Sequence, residues 1–344
     1  MGSIPPAGTT FSFCSSEFGH QPSEPVPPHP NIASQPDLLL VNPAAGGGLA
    51  REILPHLQRF AAKQHWSAEL LLTESPADFY QKARQAASAG RKRIIAVGGD
   101  GTFQILVNAV VPGFPQIVLG ILPAGGGNDL AVSLGLPADP MAAAALLLDA
   151  DTCALDVVRV RTAEGHERLY TGGGGVGLDA EAARYASGPF RNLPGRSRYL
   201  LSAIRALAGF HAIRATITPS DGEAPLRIDK ALLACVLNTR SYGAGLALAP
   251  DAQIDDGLLD LVLVEDLPLW EILGLLPKLA TRGELKTKRV TRRSVACVRI
   301  ETDPPRHFHG DGEILGTTPV EISVVPRACR VLRAPGTSSS CGPA

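Results

Sequence analysis

The stretch Ile94-Ile95-Ala96-Val97-Gly98-Gly99-Asp100-Gly101-Thr102, with Phe103 to Val111 behind it, decides how this chain is read. Its first four residues are apolar and mostly β-branched, which predicts a short buried strand. Gly98, Gly99 and Gly101 then turn the backbone where side chains would obstruct it. Thr102 is placed to cap a helix, and Phe103, Leu106, Val107 and Val110 repeat at helical spacing. Strand, glycine turn and helix start together form a phosphate cradle, because amides at a helix N-terminus lack internal acceptors. Asp100 does not suit a bare anion site, since a carboxylate repels phosphate. A divalent metal or a proton donor between the two removes the conflict. A nucleotide with Mg²⁺ is the simplest ligand meeting both demands; the bland alternative is a tight βα turn with an incidental Asp.

The same theme recurs on both sides of this stretch. Asp37 to Val41 reads as a strand running into Asn42-Pro43-Ala44-Ala45-Gly46-Gly47-Gly48. Ala68 to Leu72 is a second strand, and Ser75 caps a helix with Pro76 at its first position, reaching about Ala89. Gln116 to Leu122 is a strand ending in Pro123-Ala124-Gly125-Gly126-Gly127-Asn128-Asp129, with helical stretches to about Ala150. This alternation predicts a parallel sheet covered on both faces. Ligands of such sheets bind beyond the carboxyl ends of the strands, where turns 42–48, 98–102 and 123–129 all fall.

Beyond residue 151 the pattern changes. Leu155–Val160, Ile213–Ile217, Ala231–Leu237, Leu258–Val264, Val295–Glu301 and Val320–Val325 are strand-like, with helical patterns only at Tyr199–Phe210 and Leu269–Thr281. The fold class expected is an α/β nucleotide-binding domain, with helices on both faces of its sheet, plus a larger, mainly antiparallel β-sandwich domain. The boundaries expected are 37–150 and 151–334, with the last segment free to return to the first domain. Residues 1–36, with eight prolines, read as a disordered arm, and 335–344 as a loose tail.

Composition narrows the function. Across 344 residues the chain is 45% hydrophobic and 19% charged with a formal net charge of -1, so no global field draws it to nucleic acid or membrane. Six scattered cysteines without a CxxC pair, and no evident signal peptide, suggest a reducing cytoplasm. No apolar run reaches transmembrane length. Local charge does concentrate in Lys278 to Arg293, where seven Lys and Arg face one acid, Glu284. That segment is either a solvated basic face or a dock for anionic lipid head groups. No aromatics interleave with it, which speaks against nucleic acid.

Several motifs then line up in order: Val41-Asn42-Pro43, Gly98-Gly99-Asp100-Gly101-Thr102, and Gly120-Ile121-Leu122-Pro123 leading to Gly127-Asn128-Asp129. After them come Gly175-Val176-Gly177-Leu178-Asp179-Ala180, Asn238 with Tyr242-Gly243-Ala244-Gly245, Ala249-Pro250-Asp251-Ala252 through Asp256-Gly257-Leu258-Leu259-Asp260, and Asp311-Gly312-Glu313. Over residues 37 to 334 the chain resembles the diacylglycerol-kinase-like and sphingosine-kinase-like lipid kinases, in particular their compact two-domain bacterial members. The resemblance implies an ATP- and Mg²⁺-dependent kinase that phosphorylates a hydroxyl of a diacylglycerol-like or sphingoid lipid. Such an enzyme works from the cytoplasm at the inner membrane face, and a homodimer is a family expectation.

Carried over residue by residue, the nucleotide contacts are Asn42, Pro43, Gly46, Thr73, Gly98, Gly99, Asp100, Gly101, Thr102, Gly125, Gly126, Gly127 and Asn128. Asn128 has a second reading, as a simple cap of the helix that follows. Glu313 is the implied base, with Asp311 orienting metal or hydroxyl and Asp100 the rival base; read bare, Asp311-Gly312 is a hairpin tip. Asp256 with the carbonyls of Gln253 and Leu258 is the implied structural Mg²⁺ loop. The chain departs from the family at Ile105, where Glu is common, at Gly126, where Thr is common, and in the run Gly172 to Gly175, which lacks the usual asparagine. Two other readings remain: a kinase of a soluble acceptor such as NAD, and a catalytically inactive lipid-binding regulator.

Overall fold

A computed structural model describes residues 35–190, 193, 195–243, 245–268, 271 and 289–337. The N-terminal part alternates strand and helix. It comprises β1 (Asp37–Val41), α1 (Leu49–Glu52), α2 (Leu54–Lys63), β2 (Ala68–Leu72), α3 (Pro76–Ser88) and β3 (Arg93–Gly98). These are followed by α4 (Asp100–Val110), β4 (Val118–Pro123), α5 (Asp129–Ser133) and α6 (Pro140–Leu148). The strands lie in the order β2-β1-β3-β4, all parallel. Leu38–Val41 and Ile94–Val97 are wholly buried, as continuous apolar runs in a sheet covered on two sides must be. Ser75 caps α3 by accepting from Asp78 N at 3.1 Å. Phe79 of α3 and Phe103 of α4 are each fully buried in the same core, about 1.5–3 kcal/mol apiece.

The C-terminal part contains β5 (Asp151–Thr162), β6 (Glu167–Tyr170), β7 (Gly173–Gly177), α7 (Leu178–Ser187), α8 (Gly195–Leu207), β8 (Ile213–Pro219) and β9 (Leu226–Leu237). After these come β10 (Leu259–Glu265), β11 (Val290–Val295), β12 (Cys297–Asp303), β13 (His307–Gly310), β14 (Glu313–Thr317) and β15 (Val320–Arg333). Their mutual pairings are antiparallel. The long β15 joins the two parts. Its first residues pair with β12 and β5, while Arg330 and Val331 run parallel to β4 at Val118 and Leu119. Val331 and Leu332 accordingly sit in the N-terminal core.

Three differences from the sequence reading have physical causes. Thr102 does not cap α4; Gly99 takes the cap position, and Thr102 lies inside the helix with its hydroxyl turned to Asn42. The expected strand Val295–Glu301 breaks at Ala296, where the chain leaves β10 as its neighbour for β8 and β15. A third helix, α7, interrupts the strands. It follows β7, whose Gly-Gly-Gly-Val-Gly sequence carries almost no strand signal of its own. The expected helix Leu269–Thr281 lies outside the described residues, as does almost all of the 1–36 arm.

Candidate active site

The three glycine turns meet beyond the carboxyl ends of β1, β3 and β4. Asn42 opens the first: its backbone N–H donates to Val97 O (3.1 Å) and its Nδ2 to Thr102 Oγ1 (3.0 Å). Ala124 N donates to Gly98 O at 2.8 Å, tying the second turn to the third. There Gly99 and Gly125 pack backbone on backbone. A Cβ on Gly125 would lie 2.4 Å from Gly99 Cα, so a side chain would force the turns apart. Gly46 sits at φ +63° against the carbonyl of Ala124, and Pro43, Gly101, Gly126 and Gly127 complete the turns. Thr73, buried just past β2, directs its hydroxyl to Val41 O at 2.9 Å. The cap position of α4 is Gly99, which has no side chain to offer the helix's opening amides, and amides at a helix start suit an anion.

Asp100 does not point its charge at that anion site. Its two oxygens accept from Asp129 N (3.2 Å) and Leu130 N (3.1 Å), so it caps α5. Burial first, then the charges of Asp129 and Asp311, push its pKa up to about 7 against the pull of those two amides. Asn128 differs from its reading as a helix cap. It occupies the cap position of α5 at φ +62°, yet its side chain makes no cap bond. Instead Oδ1 accepts from Gly125 N (3.0 Å) and Nδ2 donates to Gly125 O (3.1 Å), which closes the glycine turn on itself.

The Asp311-Gly312 pair is the two-residue turn between β13 and β14. Both φ angles are positive, +49° and +87°, as a primed hairpin turn requires. Asp311 is more than a turn residue, because its carboxylate collects four donors. Oδ2 accepts from Thr171 N (2.9 Å) and Thr171 Oγ1 (3.2 Å), and Oδ1 from Gly172 N (2.9 Å) and Gly173 N (3.2 Å). Burial raises its pKa and these bonds oppose the rise. The hairpin is thereby riveted to β7 and laid over the glycine turn. A Cβ on Gly101 would lie 3.7 Å from Asp311 O and 3.8 Å from Glu313 Oε1. Glu313 itself has an exposed side chain with no side-chain hydrogen bond among the described residues. The protein around it still desolvates its carboxyl enough to raise the pKa, with Arg198 and His309 pulling the other way.

Sequence reasoning passed over two residues that fix the spacing of this cleft. Gln104 Nε2 donates to Gly310 O (3.1 Å), and Asn108 exchanges bonds with Leu169, donating to its O (2.8 Å) and accepting from its N (3.0 Å). Both sit on α4 and clamp it to the C-terminal part. The available signal was two amides on a helix otherwise apolar. Ile105, where the family's Glu is common, packs against the N-terminal core instead.

The proposed metal loop lies elsewhere, on the bulge of β15. Asp256 Oδ1 accepts from Leu258 N at 3.0 Å within its own turn. Fully buried Asp156 accepts from Gly257 N and Arg327 N, each at 2.6 Å. Burial, then Asp256 and Asp251, raise Asp260 to about 6, and Asp156 is raised by burial and by Asp256 and Asp255. Asp256 and the carbonyls of Gln253 and Leu258 are oxygen donors, the type a hard cation such as Mg²⁺ takes. Among the described residues no group of three or more His, Cys, Asp or Glu is arranged to hold a metal. Of the basic segment, residues 278–288 lie outside the description. Arg292 donates to Leu248 O and Arg293 pairs with Glu223. No described helix is long and apolar enough to cross a membrane.

Comparison with known proteins follows the same division of the chain. Residues 36–160 match the diacylglycerol kinase catalytic domain, and residues 174–333 match the YegS C-terminal NAD kinase beta sandwich-like domain. A diacylglycerol kinase of Mycobacterium tuberculosis is 32% identical over 253 residues, 72% of this chain and 79% of that one. This chain belongs to the diacylglycerol kinase family. The kinase is also 27% identical to a diacylglycerol kinase of Staphylococcus epidermidis over 285 residues, 83% of this chain and 87% of the other. A diacylglycerol kinase structure from Bacillus anthracis shares its fold with a TM-score of 0.67 at 22% identity, covering 88% of this chain and 98% of that one. The α/β domain with parallel strands and the mostly antiparallel β-sandwich are thus the family's architecture, and its members are kinases with an alcohol acceptor and ATP as donor.

Proposed function

We propose that the kinase transfers the γ-phosphate of ATP, with Mg²⁺, to a hydroxyl of a diacylglycerol-like or sphingoid lipid, and that Glu313 is the base. One observation carries the reading. Three carboxylates meet at one cleft, and two are committed to backbone donors: Asp100 holds α5 and Asp311 holds β7, while Glu313 has no such bond. Of these three, Glu313 alone has no backbone donor among the described residues, and it stands over the first turn of α4.

Phosphoryl transfer has a loose transition state, so positioning and charge stabilisation outweigh covalent chemistry. In this reading turns 42–48, 98–102 and 125–128, with Thr73, hold the nucleotide, and the amides that open α4 face its phosphates. Bound Mg²⁺ supplies neutralisation of phosphate charge. Glu313 orients the acceptor hydroxyl and takes its proton late, and its raised pKa brings it closer to the working pH of a general base. A Mg²⁺ on Asp256 and the carbonyls of Gln253 and Leu258 is structural. Residues 37–150 form the nucleotide domain and 151–334 the lipid domain. The enzyme visits the inner membrane face from the cytoplasm, with Lys278–Arg293 toward anionic head groups.

The test is transfer of labelled γ-phosphate from ATP into organic-extractable product, with mixed micelles of diacylglycerol, ceramide, sphingosine and monoacylglycerol. A labelled lipid is expected and names the acceptor. NADP⁺ formed from NAD⁺ and ATP would replace this reading with a soluble acceptor. Liposome binding without turnover on any lipid would replace it with a regulator.

A further inference from the structure

Two neighbouring residues, Ser241 and Tyr242, reach opposite walls of the cleft. Ser241 Oγ donates to Asp129 Oδ1 at 2.6 Å, and Asp129 is the first residue of α5, the one whose N–H rests on Asp100. Tyr242 OH donates to Asp179 Oδ2 at 2.8 Å, and the same hydroxyl touches His309 Nε2. His309 Nε2 lies 3.3 Å from Asp179 Oδ2, and the Tyr242 and His309 rings stack with centroids 5.8 Å apart. Burial alone would raise Asp179; His309, Tyr242 and Cys235 together hold it below its ordinary value. His309 belongs to β13, the strand that leads into Asp311 and Glu313.

These contacts close a ring around the cleft. It runs from Asp100 through Asp129 to Ser241 and Tyr242, on to Asp179 and His309, then along the hairpin to Glu313, which overlies Gly101 beside Asp100. The glycine run that replaces the family's asparagine makes room for it. A Cβ at Gly175 would lie 2.3 Å from Asp179 Oδ2, and one at Gly173 2.6 Å from the Tyr242 ring. The segment is pinned from below as well: Thr239 Oγ1 donates to Ser241 O (3.0 Å), and Asn238 N donates to Gly172 O (2.7 Å). A pinned backbone carrying two oppositely directed anchors transmits displacement from one wall to the other.

We propose that Ser241 and Tyr242, with Asp179 and His309, are positioning residues that lock the Glu313 hairpin to the nucleotide-side turn, so that Glu313 is aligned only while both anchors hold. The proposal rests on the kinase reading above for its kinetic arm alone. Ser241→Ala and Tyr242→Phe each remove one hydroxyl from the ring. Each should lower kcat about tenfold with KM for ATP within about twofold, and Ser241→Thr, which keeps the hydroxyl, should restore most of the rate. Because both act through one segment, the double variant should be no slower than about twice the worse single, where independent effects would multiply to about a hundredfold. Hydrogen exchange of the amides of β13 and β14 supplies the second arm. Both single variants should speed it, including Ser241→Ala, which touches neither strand. Unchanged hairpin exchange in Ser241→Ala, or multiplicative losses in the double variant, would overturn the proposal. Absence of phosphate transfer by the wild-type chain would overturn the lipid-kinase reading instead, while the exchange arm still decides the lock.

Discussion

Replacing Glu313 by Gln changes one thing at the cleft. The amide keeps the shape of the side chain and removes its ability to take a proton. Because the carboxylate holds no hydrogen bond among the described residues, the substitution strands no buried donor, and stability should stay within about 0.5 kcal/mol of wild type. Nucleotide binding should also persist, since turns 42–48, 98–102 and 125–128 are held by their own bonds. The rate is another matter. Loss of a general base costs about 10²- to 10⁴-fold, or about 2.7–5.4 kcal/mol of barrier at 1.36 kcal/mol per decade. The assay is initial-rate transfer of labelled phosphate between pH 4.5 and 9, beside calorimetric ATP binding and a thermal melt. A base must be deprotonated to act, so the wild-type rate should rise with pH through the Glu313 pKa, which desolvation sets above 4.5. In Glu313→Gln that acidic limb should vanish with the rate. A Gln variant within threefold of wild type, with its limb centred near 7, would refute the reasoning and hand the role to Asp100, whose pKa is about 7.

Asp311→Asn should behave differently: it weakens a four-donor anchor of charged acceptors, so the melt should fall by about 1.5–3 kcal/mol together with activity. Gly125→Ala drives a Cβ to 2.4 Å from Gly99 Cα and should cost about 1–3 kcal/mol and weaken ATP binding, read by calorimetry. Mg²⁺ should raise the melting temperature of the wild type and leave that of Asp256→Ala unchanged; an equal rise in both would remove the metal from Asp256. The fold should also lose stability as pH rises from about 4 to about 7. Folded Asp100 (about 7) and Asp260 (about 6) keep protons that the unfolded side chains, at 3.8, have shed, so the melt at pH 5 should exceed that at pH 8.

Much of this architecture was legible because it is local. Ile94–Val97 and Leu38–Val41 announce buried parallel strands by unbroken apolar runs, and Ser75-Pro76 announces a helix start by cap chemistry. The convergence of the three glycine turns was also readable, since topology places strand ends on one edge. What the sequence concealed depends on partners distant in the chain. β7 is a strand because it pairs with β9 and β13, and its glycines leave room for Tyr242, Phe308 and Asp179; Gly-Gly-Gly-Val-Gly states none of that. Nothing local to Asp100 shows that α5, some 30 residues on, delivers two amides to it. Asn128 looked like a cap for a different reason: its partner, Gly125, is only three residues behind it, in a turn that helix-start patterns do not describe.

The last strand has a consequence for biogenesis. β4 obtains its second neighbour only when Arg330 and Val331 arrive, about 200 residues after β4 has left the ribosome. Until then the α/β sheet carries an open, apolar edge, and the N-terminal core lacks Val331 and Leu332. Contacts this distant in sequence are slow to form, so the nascent chain is exposed to strand-edge association for most of its synthesis. Chains halted before residue 320 should therefore aggregate or require chaperones, even though they contain every residue assigned to the nucleotide.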